Sequence, residues 1–221
     1  MKALLLPAGL TQVLRAMTIS LAALGGLGCD VNSHSVAGAS SRFTKLTHQG
    51  EAVAAKSGPW HCVYDQVQGL MWEVKSVQEN AHYYKSTYSW FLAEKPSQRL
   101  GSCGVGQGFV PCHSEDLVRL LNQINYCGSQ QWRVPTAQEL TSLVNDAAYP
   151  GKAKVPAGLF PHTVKGPYWS SDFHHSQITT VHFGSGEIGR LGPNNAAWLR
   201  LVSSDDSLKQ HAAIPTSDTL H

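Results

Sequence analysis

Five cysteines and eleven histidines hold most of the reactive chemistry in this sequence. Setting Cys29 aside with the N-terminal segment leaves Cys62, Cys103, Cys112 and Cys127, an even set of the kind that pairs into disulfides in an exported chain. Four cysteines allow three pairings. Cys103 and Cys112 flank Gly104-Val-Gly-Gln-Gly108, a loop flexible enough to let them meet. Cys62 and Cys127 would then tie the first strand to a helix exit. A four-thiolate zinc site usually shows two close Cys-x-x-Cys pairs, and none occurs here, so no metal is expected on these sulfurs. His174-His175 with His182 is the densest histidine set, but neighbouring residues project differently and no Asp/Glu-His spacing repeats. A solvated hairpin surface suits it better than a metal centre. Tyr83, Tyr84, Tyr88 and Trp90 could offer ring faces for a sugar to stack on, against the commoner fate of aromatics as core. The chain has no Gly-x-Ser-x-Gly elbow, no phosphate-cradling Gly-Lys pair and no His-Glu-x-x-His. Neither catalysis nor a cofactor is expected.

The elements that must position these residues can be read from local patterns. Trp60-His-Cys-Val-Tyr-Asp65 and Leu70-Met-Trp-Glu-Val-Lys75, around a turn at Gln68-Gly69, make a hairpin. Tyr83 to Phe91 is irregular. Leu117, Leu120, Leu121 and Ile124 fall at helical spacing, so Glu115 to Tyr126 is expected to be an amphipathic helix with Glu115 and Asp116 at its positive end. Gly128 can supply the left-handed residue that ends it. Pro135 closes a short Trp132-Arg133-Val134 strand, and Thr136 with Glu139 is a capping box opening a second helix. Strands are expected at 168–172, 178–183, 187–191 and 197–202, with a tight turn at Gly184-Ser-Gly186. Trp72, Trp132, Trp169 and Trp198 read as core, and Arg133 and Arg200 as partners of interior acids such as Glu73 or Asp65. Hairpin, helices and meander in that order make an α+β domain.

The N-terminus has the features of an export signal. Lys2 and Arg15 precede the apolar run Ala16–Leu27, of signal-core length and too short to span a bilayer. Leu27-Gly28-Cys29 resembles the end of a bacterial lipoprotein signal, which makes Cys29 the lipidated first residue of the mature chain. Residues 1–28 are then the signal, 29–49 a flexible tether, 50–203 the domain and 204–221 a disordered tail. Without Lys2 and Arg15 the chain holds 15 basic residues against 15 acidic ones. A neutral chain has no bulk affinity for nucleic acid or anionic lipid.

Cys62-Val-Tyr-Asp, Gly69-Leu-Met-Trp-Glu73, Cys127-Gly, Trp132-Arg-Val-Pro-Thr136, Glu139-Leu140, Phe160-Pro161, Tyr168-Trp-Ser-Ser171 and Trp198-Leu-Arg-Leu-Val202 follow one another in a familiar order. Over residues 58–203 the chain resembles the Lcl C-terminal domain-like family of bacterial proteins. Gln131 and Gln68 stand where Asp and Thr are usual in that pattern. The resemblance implies a C-type-lectin-like fold related to sulfatase-modifying factors: a twisted antiparallel sheet with two flanking helices. It also implies attachment to sulfated polysaccharides, although those need clustered Lys or Arg and this mature chain is neutral. Asp172, Asn194 and Asn195 then become candidate ligand-binding residues beside Tyr83, Tyr84, Tyr88 and Trp90, with loop capping as the plainer role.

The expected protein is therefore an exported, lipid-anchored envelope component, facing the periplasm or the cell surface and touching membrane through its anchor alone. Its lectin-like domain binds a glycan or another surface ligand without chemistry. A structural or assembly role with envelope protein partners is the alternative. An enzyme of the sulfatase-modifying-factor type would need free reactive cysteines.

Overall fold

The computed structural model describes residues 41–92, 98, 100–104, 109–148 and 150–205. The expected signal, Cys29, the start of the tether and the tail beyond 205 lie outside them. Among the described residues the chain forms β1 (Phe43–Leu46), β2 (Ala52–Val53), β3 (Cys62–Asp65), β4 (Leu70–Glu73), β5 (Gly101–Gly104) and β6 (Phe109–Cys112). Helix α1 (Ser114–Gln123), a 3-10 turn at Tyr126–Gly128, β7 (Trp132–Arg133) and α2 (Ala137–Thr141) follow. The last strands are β8 (Pro167–His174), β9 (Gln177–His182), β10 (Ile188–Leu191) and β11 (Val202–Ser203).

All strand pairings are antiparallel, and the strands divide into a six-stranded sheet ordered β2-β1-β3-β4-β11-β7, a three-stranded sheet β10-β9-β8 and the hairpin β5-β6. The fold is mainly β with few helices, and among the described residues its strands lie in three sheets rather than the expected one. The meander does not lead straight into the closing strand, because β11 leaves it to pair with β4 and β7.

The central strands β3 and β4 are buried at every position, because both faces of the sheet are covered. Alternation along a strand sends side chains to opposite faces. Cys62, Tyr64 and Met71 join Leu117, Leu121, Tyr126 and Trp132 on the α1 side. Val63, Leu70, Trp72 and Val74 join Leu140, Leu143, Phe160 and Tyr168 on the α2 side. Strands β8 and β9 feed both clusters: Tyr168 and Val181 go to one, Trp169 and Ile178 to the other.

Strand β1 corrects the expected domain start. Residues 43–46, expected in the tether, pair along their whole length with β3, Phe43 opposite Asp65 and Leu46 opposite Cys62. Arg42 fixes this register, its Nη2 2.6 Å from the fully buried Asp65 Oδ2. Asp65 also accepts from the amides of Val67 and Gln68, which shapes the turn into Gly69 at φ 65°. Arg133 pairs not with an interior acid but with Glu139 at 2.7 Å. Arg200, fully buried, donates from Nη1 to the Glu73 carbonyl oxygen at 2.6 Å and from Nη2 to Thr163 Oγ1 at 2.9 Å.

The Cys62–Cys127 and Cys103–Cys112 disulfides are both formed, with Cα separations of 6.5 and 5.9 Å. They point to an oxidising, extracytoplasmic environment. Among the described residues no helix is long and apolar enough to cross a membrane.

Candidate functional site

A concave feature grows from the first disulfide. Cys62 is preceded by His61 and Cys127 by Tyr126, so the bond that joins the cysteines also brings these two rings to one place. The 3-10 turn holds Tyr126 through left-handed residues on either side, Asn125 and Cys127, each at φ 50°. Tyr126 Oη donates to the His61 carbonyl oxygen at 3.3 Å. Beyond β4 the chain folds back on itself: Ser76 N donates to His82 O, Tyr84 N to Ser76 O, and His82 N to Asn80 Oδ1. That return lays the His82 ring on Tyr126, 4.1 Å between centroids and 18° from parallel. His48, in the turn after β1, stands edge-on to both His61 and Tyr126, at 5.8 and 5.2 Å.

These groups enclose an open cleft of about 630 Å³, completed by Trp60, Val77, Ile124, Pro161 and His162. Its volume lies within the range of small-ligand sites. At its base is a buried charge network. Glu73 Oε1 accepts from Lys75 Nζ at 2.7 Å and His82 Nδ1 at 2.9 Å, and Oε2 accepts from Leu201 N at 3.1 Å. Burial alone would push Glu73 up. The Lys75 charge, followed by the hydrogen bond and charge of His82, outweighs it and brings the carboxyl down to about 2. Burial lowers Lys75, while the charge and hydrogen bond of Glu73 oppose the shift. Burial also lowers His61, helped by His48 and His82. His61 Nδ1 is buried without a hydrogen-bond partner. No group of three or more His, Cys, Asp or Glu among the described residues is placed to hold a metal ion.

The residues singled out from sequence are distributed differently. Tyr83, Tyr88 and Trp90 are buried, Trp90 tilted against Trp169 at 5.8 Å, so their faces are spent on the core and cannot form an open platform. Tyr84 is half-buried and reaches the edge of the cleft, 6.1 Å from His162. Asp172 Oδ2 accepts from the first amide of α2, Ala137 N, at 2.9 Å. Asn194 Oδ1 accepts from Gln98 N, and Asn195 Nδ2 donates to Gly192 O. All three oxygen-bearing candidates serve as caps and loop ties. His174 and His175 are exposed at a hairpin tip, and His182 Nδ1 accepts from Gly184 N.

His48, His61, His82 and His162 escaped sequence reading because they are scattered over more than a hundred positions with no motif spacing. One signal was available: pairing Cys62 with Cys127 brings their neighbours His61 and Tyr126 together. In comparison with known families, the family model described as Lcl C-terminal domain matches residues 61–203. The match begins at His61, so β1 and the turn bearing His48 precede it. No curated protein matches the chain.

Proposed function

The chain belongs to the Lcl C-terminal domain family, and from that premise we propose that it is an exported, lipid-anchored, non-catalytic binding protein whose domain, arranged in the C-type-lectin-like manner, takes a glycan or other surface ligand in the cleft at His82 and Tyr126. The observation that carries this reading is the cleft itself. Its lining joins ring systems (Trp60, His82, Tyr126, His162) to hydrogen-bonding amides (Gln78, Asn80), the combination that suits a hydroxyl-rich ring. The carboxylate beneath it, Glu73, is buried and held by Lys75, His82 and the Leu201 amide. The two disulfides use the four cysteines an oxidase of the sulfatase-modifying type would need.

A glycan array probed with the full chain tests the reading. Binding to a defined sugar set, weakened about tenfold or more by His82→Ala or Trp60→Ala, supports it. An array without binders, together with a reproducible envelope protein partner in pull-downs, would transfer the assignment to the assembly role. Failure of radiolabelled palmitate to enter the wild-type chain, but not a known lipoprotein control, would remove lipidation at Cys29.

A further inference from the structure

The lining of the cleft is lopsided in charge and in polarity. Lys75 is the only Lys or Arg among the lining residues, and no Asp or Glu lines it. Lys75 is 4 % exposed, and its ammonium has three N–H donors but one acceptor among the described residues, Glu73 Oε1. Glu73 divides its two oxygens among three donors, Lys75 Nζ, His82 Nδ1 and Leu201 N, so it meets one of the three ammonium N–H groups. Arg200, whose Nη1 holds the Glu73 carbonyl oxygen, adds a second buried cation to the same neighbourhood. His61 Nδ1, unpartnered and buried in the same lining, is a further donor in its Nδ1–H tautomer. Buried donors short of acceptors favour an incoming oxygen anion, and the local charge favours it too.

Beside the polar Ser76, Gln78 and Asn80, one part of the lining is apolar. Val77 and Ile124 are 59 % and 44 % exposed, among the most exposed large hydrophobic side chains of the domain, and both face the cleft with Val74, Ala81 and Pro161. A run of sulfates would find a single sunken ammonium rather than an exposed array of Lys and Arg.

We propose that the cleft is a site for a small amphipathic monocarboxylate, its carboxylate received by Lys75 and His61 Nδ1 and its apolar body laid along Val77, Ile124 and Pro161. The proposal rests on the cleft being the binding site, as in the reading above, but assigns it a different ligand chemistry. One planar anion with two oxygens suits two donors in one lining, and an alkyl or aryl body of modest size fits about 630 Å³.

The test uses the full chain with octanoate, octan-1-ol and octyl sulfate as probes, each below micelle formation. Affinity is read by calorimetry, and location by the imidazole resonances of His61 and His82. Octanoate is expected to bind saturably and move both imidazoles, with octan-1-ol and octyl sulfate each at least about tenfold weaker. Lys75→Gln should lose octanoate binding. Because that change strands Glu73 and can unfold the domain, Ile124→Ser at the exposed rim provides a second variant, expected to weaken octanoate several-fold with the fold intact. Equal binding of octan-1-ol, octyl sulfate binding as tightly, no binding of octanoate, or binding without imidazole shifts would each overturn the proposal. A positive glycan array beside a failed octanoate titration would sink this inference alone. Octanoate binding beside an empty array would retire the glycan reading and leave the cleft as the site.

Discussion

Glu73 is the residue on which most of the cleft's order depends, and its partners show what sequence could and could not foresee. An interior acid near an arginine was expected, and the acids are indeed interior, but the cations that reach them are Lys75 and Arg42. Arg133 instead takes Glu139, only six residues away and already oriented by the cap of α2. Which charges meet depends on strand register and on where loops return, neither of which is written in residue type. Removing one member of a buried pair leaves the other uncompensated, so Lys75→Met should cost about 3–5 kcal/mol in urea unfolding. The same groups set an acid response. Glu73 has a folded pKa of about 2 against 4.5 when free, so its contribution is complete above the unfolded value and is lost as pH falls from there towards 2. His61 adds an earlier loss. Its folded pKa lies below 6.5, so the unfolded chain takes up the proton first and stability declines as pH drops through 6.5. Unfolding free energy should therefore fall in two stages on acidification, and His61→Gln should abolish the upper one while leaving the lower.

At the scale of elements, what sequence made legible was chemistry between near neighbours. The hairpin about Gly69, the existence of a helix opening at Ser114 (which ends at Gln123, short of the expected Tyr126) and the reciprocal bonds between Thr136 and Glu139 all follow from residues within a few positions of each other. Strand β1 was illegible because its four residues, Phe-Thr-Lys-Leu, sit in a polar stretch and acquire a partner only when β3 arrives. Residues 105–108 of the expected loop lie outside the described residues, and the strands paired on either side of them carry no local signal in the sequence. Helix α2 spans five residues, too short to persist without its ends being held. Thr136→Ala should cost about 1 kcal/mol in thermal or urea unfolding, and Asp172→Ala, which removes the second ligand of the same helix start, a similar amount. The β5-β6 hairpin lies so close to residues 87–88 that a Cβ on Gly101 would come within 2.6 Å of the Thr87 carbonyl oxygen. Gly101→Ala is therefore expected to destabilise by about 1–3 kcal/mol, with loss of the near-ultraviolet dichroism of Trp90 and Trp169.

For the whole molecule, the boundary drawn at residue 50 falls inside the sheet. A chain beginning there lacks β1 and the Arg42–Asp65 pair, leaving β3 as an open edge and Asp65 buried without its cation. It should melt well below, and aggregate faster than, one beginning at residue 41, as scanning calorimetry and light scattering would register. The family match from His61 marks the shared part of the domain, whereas the cleft also draws on His48 ahead of it. The Cys62–Cys127 bond has a mechanical side as well. Force entering at the N-terminal end of the domain and leaving at the C-terminal end passes through it, because it bridges a sequence separation of 65. Under tension those residues, with the Cys103–Cys112 loop nested among them, cannot pay out. At full stretch the oxidised chain is shorter than the reduced one by roughly 230 Å, a difference single-molecule pulling would resolve. A domain held by one end in moving fluid would thus have less slack to give, and the part of the cleft between the two cysteines, Val74 to Tyr126, would be shielded from extension.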